Sequence, residues 1–258
     1  MRPYSPSSQQ QGRHRPHPPR ELSELDGVLL VDKAPGMTSH DVVAIVRRAL
    51  GTKKVGHCGT LDPLATGLLI LTLGRGTKIQ DLLMSEDKEY SGTMILGVET
   101  DTQDRAGKTL RERPVPPLDE ATVRAAFEKY AGDFYQMPPM VSAIKQGGVP
   151  LYKLARQGKT VEREPRYVHV FAHEVQAVRP PEIDFRVVCS KGFYVRTYAH
   201  DIGETLGCGA HLQALRRTKS GRFDLVRAVT VEQLKTLPAD ELKKSILSLP
   251  EVSRLRGA

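Results

Sequence analysis

The chain has 258 residues, of which 39% are hydrophobic, with a formal net charge of +8. That length can bury one full core with a small appendage, and the positive balance favours a polyanionic partner, either nucleic acid or an anionic membrane surface. No run of about 18 apolar residues exists to span a bilayer, and the first twenty residues lack the apolar centre of a signal peptide.

Residues 1–24, with Arg2, Arg13, Arg15, Arg20 and five prolines, read as a disordered basic tail. A short apolar strand is predicted over 27–31. Thr38 and Asp41 form a T-x-x-D capping box that opens a helix running to Leu50 and stopping at Gly51. Val42, Val43, Val46, Ala49 and Leu50 give this helix one buried face. The turn Gly56-His57-Cys58-Gly59-Thr60-Leu61-Asp62-Pro63-Leu64-Ala65-Thr66-Gly67 then holds one carboxylate before a buried strand over 68–73. A carboxylate fixed in this way can serve as a covalent nucleophile, but most Asp-Pro turns are structural.

Gly74-Arg75-Gly76-Thr77-Lys78 is a fragment of a phosphate loop and reads as a strand-to-helix turn into a short helix over 78–84. A strand over 90–100 ends in a polar turn over 101–107. An amphipathic helix over 118–130 places Val123, Phe127 and Tyr130 on one side. Residues 137–166 are rich in Pro, Gly, Lys and Arg with little periodicity, the mark of a functional insertion. Strands over 167–178 and 183–190 form a hairpin across Arg179-Pro180-Pro181. A helix over 197–206 ends at Gly207, a strand region follows over 211–223, and short helices over 231–237 and 239–247 close the core. Strands and helices alternate without a regular βαβ period, which predicts an α+β fold.

Cys58, Cys189 and Cys208 form no C-x-x-C pair and leave one cysteine unpaired in any disulfide scheme, which fits a cytoplasmic location. The eight histidines show no zinc spacing, so no metal is expected.

Several separated segments occur in a telling order. Asp32-Lys33-Ala34-Pro35-Gly36-Met37-Thr38-Ser39 is followed by the Asp62 turn, then Lys88-Glu89-Tyr90, Thr100-Asp101-Thr102 and Pro139-x-x-Ser142-Ala143-x-Lys145. Tyr152-x-x-Ala155-Arg156-x-Gly158 precedes Ser190-Lys191-Gly192-x-Tyr194-x-Arg196, and Gly207-x-Gly209-Ala210-x-Leu212 leads into Leu215-Arg216-Arg217. Together they resemble the bacterial TruB family, tRNA pseudouridine synthases that modify uridine 55 in the T loop, from about Gly27 to about Phe223. Two departures stand out: the family's Asp-Lys-Pro-x-Gly reads Asp32-Lys33-Ala34-Pro35-Gly36 here, and no full PUA-type RNA-binding domain follows the core.

The resemblance implies a pseudouridine synthase fold with a mixed, largely antiparallel sheet, flanking helices and a catalytic cleft across the sheet. The catalytic domain would span 25–224, with 137–166 as an RNA-clamping insertion and 225–258 as a short helical segment. Asp62 would be the essential aspartate, attacking the sugar C1′, attacking the base, or stabilising a glycal-forming elimination. Arg196 would pair with it, since a guanidinium stays protonated and can bond a carboxylate bidentately. Tyr90 would stack on the flipped uracil or relay a proton, Tyr194 would orient Arg196, and Leu215 would wall the pocket. His57 would hold the opened loop. Lys33, Lys78, Lys145, Lys153 and Arg156 would line the RNA groove, and Asp101 would hold a turn or orient Tyr90. The implied partner is the tRNA T stem-loop, bound by a monomer with no membrane contact, no obligate protein partner and no cofactor. Two alternatives are a non-catalytic tRNA-binding or tRNA-folding protein and an RNA-guided pseudouridine synthase; the intact Asp62, Tyr90 and Arg196 set disfavours the first.

Overall fold

The computed structural model describes residues 23–142, 144–157 and 161–257. Nearly all of the expected basic tail lies outside them. The chain begins with β1 (Gly27–Lys33), α1 (Ser39–Ala49), β2 (Val55–His57), β3 (Thr66–Leu73), a 3₁₀ turn (Gly74–Ile79) and α2 (Gln80–Met84). Next come β4 (Lys88–Leu96), β5 (Val98–Thr100), β6 (Thr109–Glu112), α3 (Glu120–Glu128) and β7 (Gly132–Gln136). The segment 137–166 holds β8 (Lys145–Gln146), β9 (Val149–Pro150) and α4 (Leu151–Arg156). Then follow β10 (Arg166–Arg179), β11 (Glu182–Cys189), α5 (Val195–Thr205) and β12 (Ala210–Ser220). The chain closes with β13 (Val229–Thr230), α6 (Val231–Thr236), α7 (Ala239–Lys244), β14 (Leu247–Ser248) and α8 (Leu249–Arg256).

One mixed sheet dominates, in the order β13-β1-β3-β12-β4-β11-β10-β7, with β14 and β2 pairing off that path onto β1 and β3. Its pairings are antiparallel except β1 with β13 and β3 with β12. The α+β architecture expected from the sequence is the one observed.

The apolar run in β3 follows from burial on both faces. Leu69, Leu71 and Leu73 join the main core beneath α1, whereas Leu68 and Ile70 pack into a second cluster with Val28, Leu30, Phe223 and Val252. Each such side chain contributes roughly 1.5–3 kcal/mol by leaving water. The capping box forms as read: Thr38 accepts from the Asp41 amide and Asp41 accepts from the Thr38 amide.

Several elements differ from expectation. The strand over 90–100 divides at Gly97, whose positive φ of 87° breaks the extended run into β4 and β5. The helix over 78–84 opens instead as a 3₁₀ turn from Gly74. The strand β7 and the helix α8 carry too weak a periodic signal to be read from sequence, and both form.

Candidate active site

The Asp62 loop joins β2 to β3 and is tied down from three directions. Leu61 donates its amide to the Ser39 hydroxyl at 2.9 Å, and that hydroxyl returns a bond to the Leu61 carbonyl at 3.2 Å. Ser39 sits buried in the first turn of α1. The ammonium of Lys33 donates to the carbonyls of Ala65 at 2.6 Å, Ala34 at 3.0 Å and Pro63 at 3.4 Å. Arg217 on β12 donates to the Gly59 carbonyl at 3.2 Å and the Leu68 carbonyl at 2.6 Å. Gly67 closes the loop where β3 runs parallel to β12. A Cβ there would fall 2.2 Å from the Arg217 carbonyl, and its φ is +96°, so only glycine fits.

Arg196 stands in the first turn of α5, where a cation opposes the helix dipole. Carboxylates and carbonyls from other loops compensate. Its Nε lies 2.9 Å from Asp62 Oδ2 and 3.9 Å from Asp104 Oδ2. Its Nη1 donates to Thr102 O at 2.8 Å and its Nη2 to Val141 O at 2.7 Å. The pair is therefore single-pronged: the fork expected to grip Asp62 bidentately is committed to two backbone loops. Arg196 is 4% exposed and Asp62 36%, so the carboxylate opens to a cleft while its counter-ion is sealed behind it.

That cleft has a volume of about 780 Å³ and includes Asp62, Tyr90, Tyr194, Arg196, Leu215 and Arg217 in its walls. Tyr90 comes from β4 and lies opposite Arg217 of β12 in the sheet register. Burial pushes the Tyr90 phenol up in pKa, opposed by the charge of Arg217, so it is protonated at neutral pH. Tyr194 is set at the start of α5 by Gln136 of β7. The Gln136 side chain accepts from the Tyr194 amide at 2.8 Å and donates to its carbonyl at 3.1 Å. Burial likewise raises the Tyr194 phenol. Lys88 also reaches the cleft; desolvation lowers it to about 8, and it donates to Met84 O at 2.7 Å and to Glu86 O.

Other expected site residues lie elsewhere. Lys33 is wholly buried and spends its ammonium on the Asp62 loop, so it offers no charge to an RNA groove. Desolvation lowers it to about 8, against the pull of Asp62 and Asp41. His57 packs edge-on to His40 with ring centroids 5.2 Å apart, and desolvation lowers its pKa, so it is neutral at pH 7. It lies outside the cleft walls, as does the exposed Lys78. The side chains of Lys145, Lys153 and Arg156 fall outside the described part. Asp101 holds its turn by accepting from the Lys108 amide at 2.8 Å, while the carboxylate behind Arg196 belongs to Asp104. Asp104, Arg217, Lys88 and Gln136 were missed as site residues; the segments Lys88-Glu89-Tyr90 and Arg216-Arg217 were the available signal for Lys88 and Arg217.

Among the described residues no group of three or more His, Cys, Asp or Glu is placed to hold a metal ion, and no helix is long and apolar enough to cross a membrane. The three cysteines are buried and unpaired.

Residues 47–195 match the family model for TruB family pseudouridylate synthase (N terminal domain), and residues 196–252 match that for tRNA pseudouridylate synthase B C-terminal domain. The chain is 56% identical over 224 residues to a tRNA pseudouridine synthase B of Opitutus terrae, covering 87% of this chain and 93% of that protein. Another, of Syntrophotalea carbinolica, is 50% identical over 89% of this chain and 75% of its own length. Among solved structures, the chain resembles one in a Cbf5-Nop10-Gar1 complex, with a TM-score of 0.69 and 28% identity, covering 90% of this chain and 63% of that one. A second, from an H/ACA RNP bound to a substrate RNA, has a TM-score of 0.66 and 26% identity, covering 90% of this chain and 62% of that one. With a matched family model across more than half its length and an Asp62–Arg196 pair in the wall of a cleft, this chain belongs to the TruB family of pseudouridylate synthases.

Proposed function

We propose that the chain isomerises uridine 55 in the T loop of tRNA to pseudouridine, with Asp62 as the essential carboxylate. The observation that carries this reading is the Asp62–Arg196 contact at 2.9 Å in the wall of an open cleft of about 780 Å³, a size that admits one extruded nucleotide. The reaction breaks the N1–C1′ bond, turns the freed base and rebonds it through C5, so no net oxidation or hydrolysis occurs.

The target base must leave its stack, at a cost of a few kcal/mol. Tyr90 and Leu215 then flank the uracil, one as an aromatic face and the other as an apolar wall. Arg196 holds Oδ2 of Asp62 through its Nε at 2.9 Å and leaves Oδ1 for the substrate. The neutral His57, five residues earlier on β2, supports the opened loop. The exposed Lys78 and the insertion over 137–166 supply salt-dependent contact with the stem. The chain acts as a monomer in the cytoplasm, on tRNA alone. The likeness to Cbf5 and H/ACA assemblies makes RNA-guided action the second reading; the higher identity to tRNA pseudouridine synthase B proteins favours the first.

Purified protein incubated with a T stem-loop RNA should yield pseudouridine at that uridine, and Asp62→Asn should bind the RNA without turnover. Intact binding with no product from the unsubstituted protein would support a tRNA-binding protein instead, and turnover by Asp62→Asn would refute the role of Asp62.

A further inference from the structure

We propose that Tyr135 and Tyr167 form a stacking platform for an unpaired base of the substrate RNA, next to the base held in the cleft. This rests on the RNA substrate of the preceding reading and adds a recognition surface to it.

β7 is the edge strand of the large sheet, and Tyr135 lies directly opposite Tyr167 of β10. On the inner face of this pair, Phe134, Val168 and Val170 pack inward. A sheet with one solvated face places polar residues on the outside. Here the outer positions carry Tyr135, Tyr167, His169 and Phe171, and the two tyrosines are 73% and 61% exposed. Aromatic rings left this far in water on neighbouring strands mark a contact surface.

The rings are held in place. Tyr135 and Tyr167 meet edge to face with centroids 5.6 Å apart. Asp133 accepts from His169 Nδ1 at 2.8 Å and lies beside the Tyr167 phenol, whose pKa it raises. The surface is continuous with the cleft, because Tyr167 also lines it, together with Arg166 and Lys191. Those two cations would repel their equivalents across a symmetric contact between copies, but they suit the phosphates on either side of a stacked base. Stacking on an aromatic ring is open to any base, so this platform would add affinity without sequence preference.

The test is the dissociation constant of a T stem-loop RNA across a KCl series, for the full chain and its variants. Tyr135→Ala and Tyr167→Ala should each raise Kd about tenfold, equivalent to about 1.4 kcal/mol, with the slope of log Kd against log salt unchanged. Tyr167→Phe should stay within about twofold of the parent, because the ring is kept. Arg166→Gln should flatten the slope. A 2-aminopurine beside the target uridine should be quenched on binding the parent chain and not on binding Tyr167→Ala. Alanine variants that bind like the parent, while the parent converts the uridine, would overturn the platform and leave the enzyme reading intact. Failure of the parent to bind or convert the RNA would overturn both. A dimer lost in Tyr135→Ala, with RNA affinity unchanged, would assign the surface to a second copy and refute the proposal.

Discussion

Replacing Lys33 by methionine separates a buried tether from an RNA contact. Lys33 is completely buried, and its pKa falls from 10.5 to about 8 because burial disfavours the ammonium. That drop corresponds to a penalty on the charged form of roughly 3 kcal/mol at neutral pH, which methionine removes. The loss on the other side is the donor to three carbonyls. Pro63 O keeps a partner in the Gly36 amide at 2.8 Å, and Ala34 is only partly buried. Ala65 O is left facing an apolar side chain, which costs about 1–3 kcal/mol. Net stability should therefore change by no more than about 2 kcal/mol in either direction, while turnover falls because the Asp62 loop is freed.

The pH dependence has a definite sign. A lysine depressed on folding binds fewer protons in the folded chain, so its contribution is most favourable above pH 10.5 and is lost as pH falls through about 8. Urea unfolding at pH 7 and pH 10 should show the parent gaining stability with pH more steeply than Lys33→Met. Lys88, also lowered to about 8, contributes the same trend to both proteins and cancels in the difference. RNA binding should keep its salt slope, because a buried ammonium neutralises no phosphate. A slope reduced by about one, with turnover intact, would refute the tether and return Lys33 to the RNA groove.

Two further substitutions test the site. Arg196→Lys should fall short of parent turnover by more than about a hundredfold, since one ammonium cannot serve Asp62, Thr102 O and Val141 O together; steady-state kinetics near parental values would show that only the charge matters. Arg217→Met should lower both thermal stability and turnover, because it severs β12 from Gly59 O and Leu68 O and removes the cation beside Tyr90. A rise in the pH needed to ionise Tyr90, read by ultraviolet difference titration, distinguishes this from general destabilisation; no rise would mean that Arg217 acts only as a strut.

Much of the fold was legible because its signals are local. The Thr38–Asp41 capping box, the doubly buried run of β3 and the hairpin across Pro180-Pro181 each declare themselves within a dozen residues. The edge strand β7 did not, because Gly132-Asp133-Phe134-Tyr135-Gln136 mixes turn-formers with aromatics and takes its shape from pairing with β10. Missing β7 also meant missing Gln136, which sets Tyr194, and the exposed face that carries Tyr135.

The candidate site divides along the same line. Residue types alone left Asp62 in its turn open between a nucleophile and a structural role; resemblance to a family made it the expected aspartate and attached Arg196, Tyr90 and Leu215 to it. Tertiary structure decided how those groups are held: Arg196 meets Asp62 through one nitrogen, Asp104 stands behind it, and Lys33 turns inward. The physical reason is distance along the chain. The bond from Lys33 to Ala65 spans 32 residues and that from Arg217 to Gly59 spans 158. Whether a lysine faces water or a ring of carbonyls depends on which distant backbone folds over it, and no periodicity or turn signal encodes that.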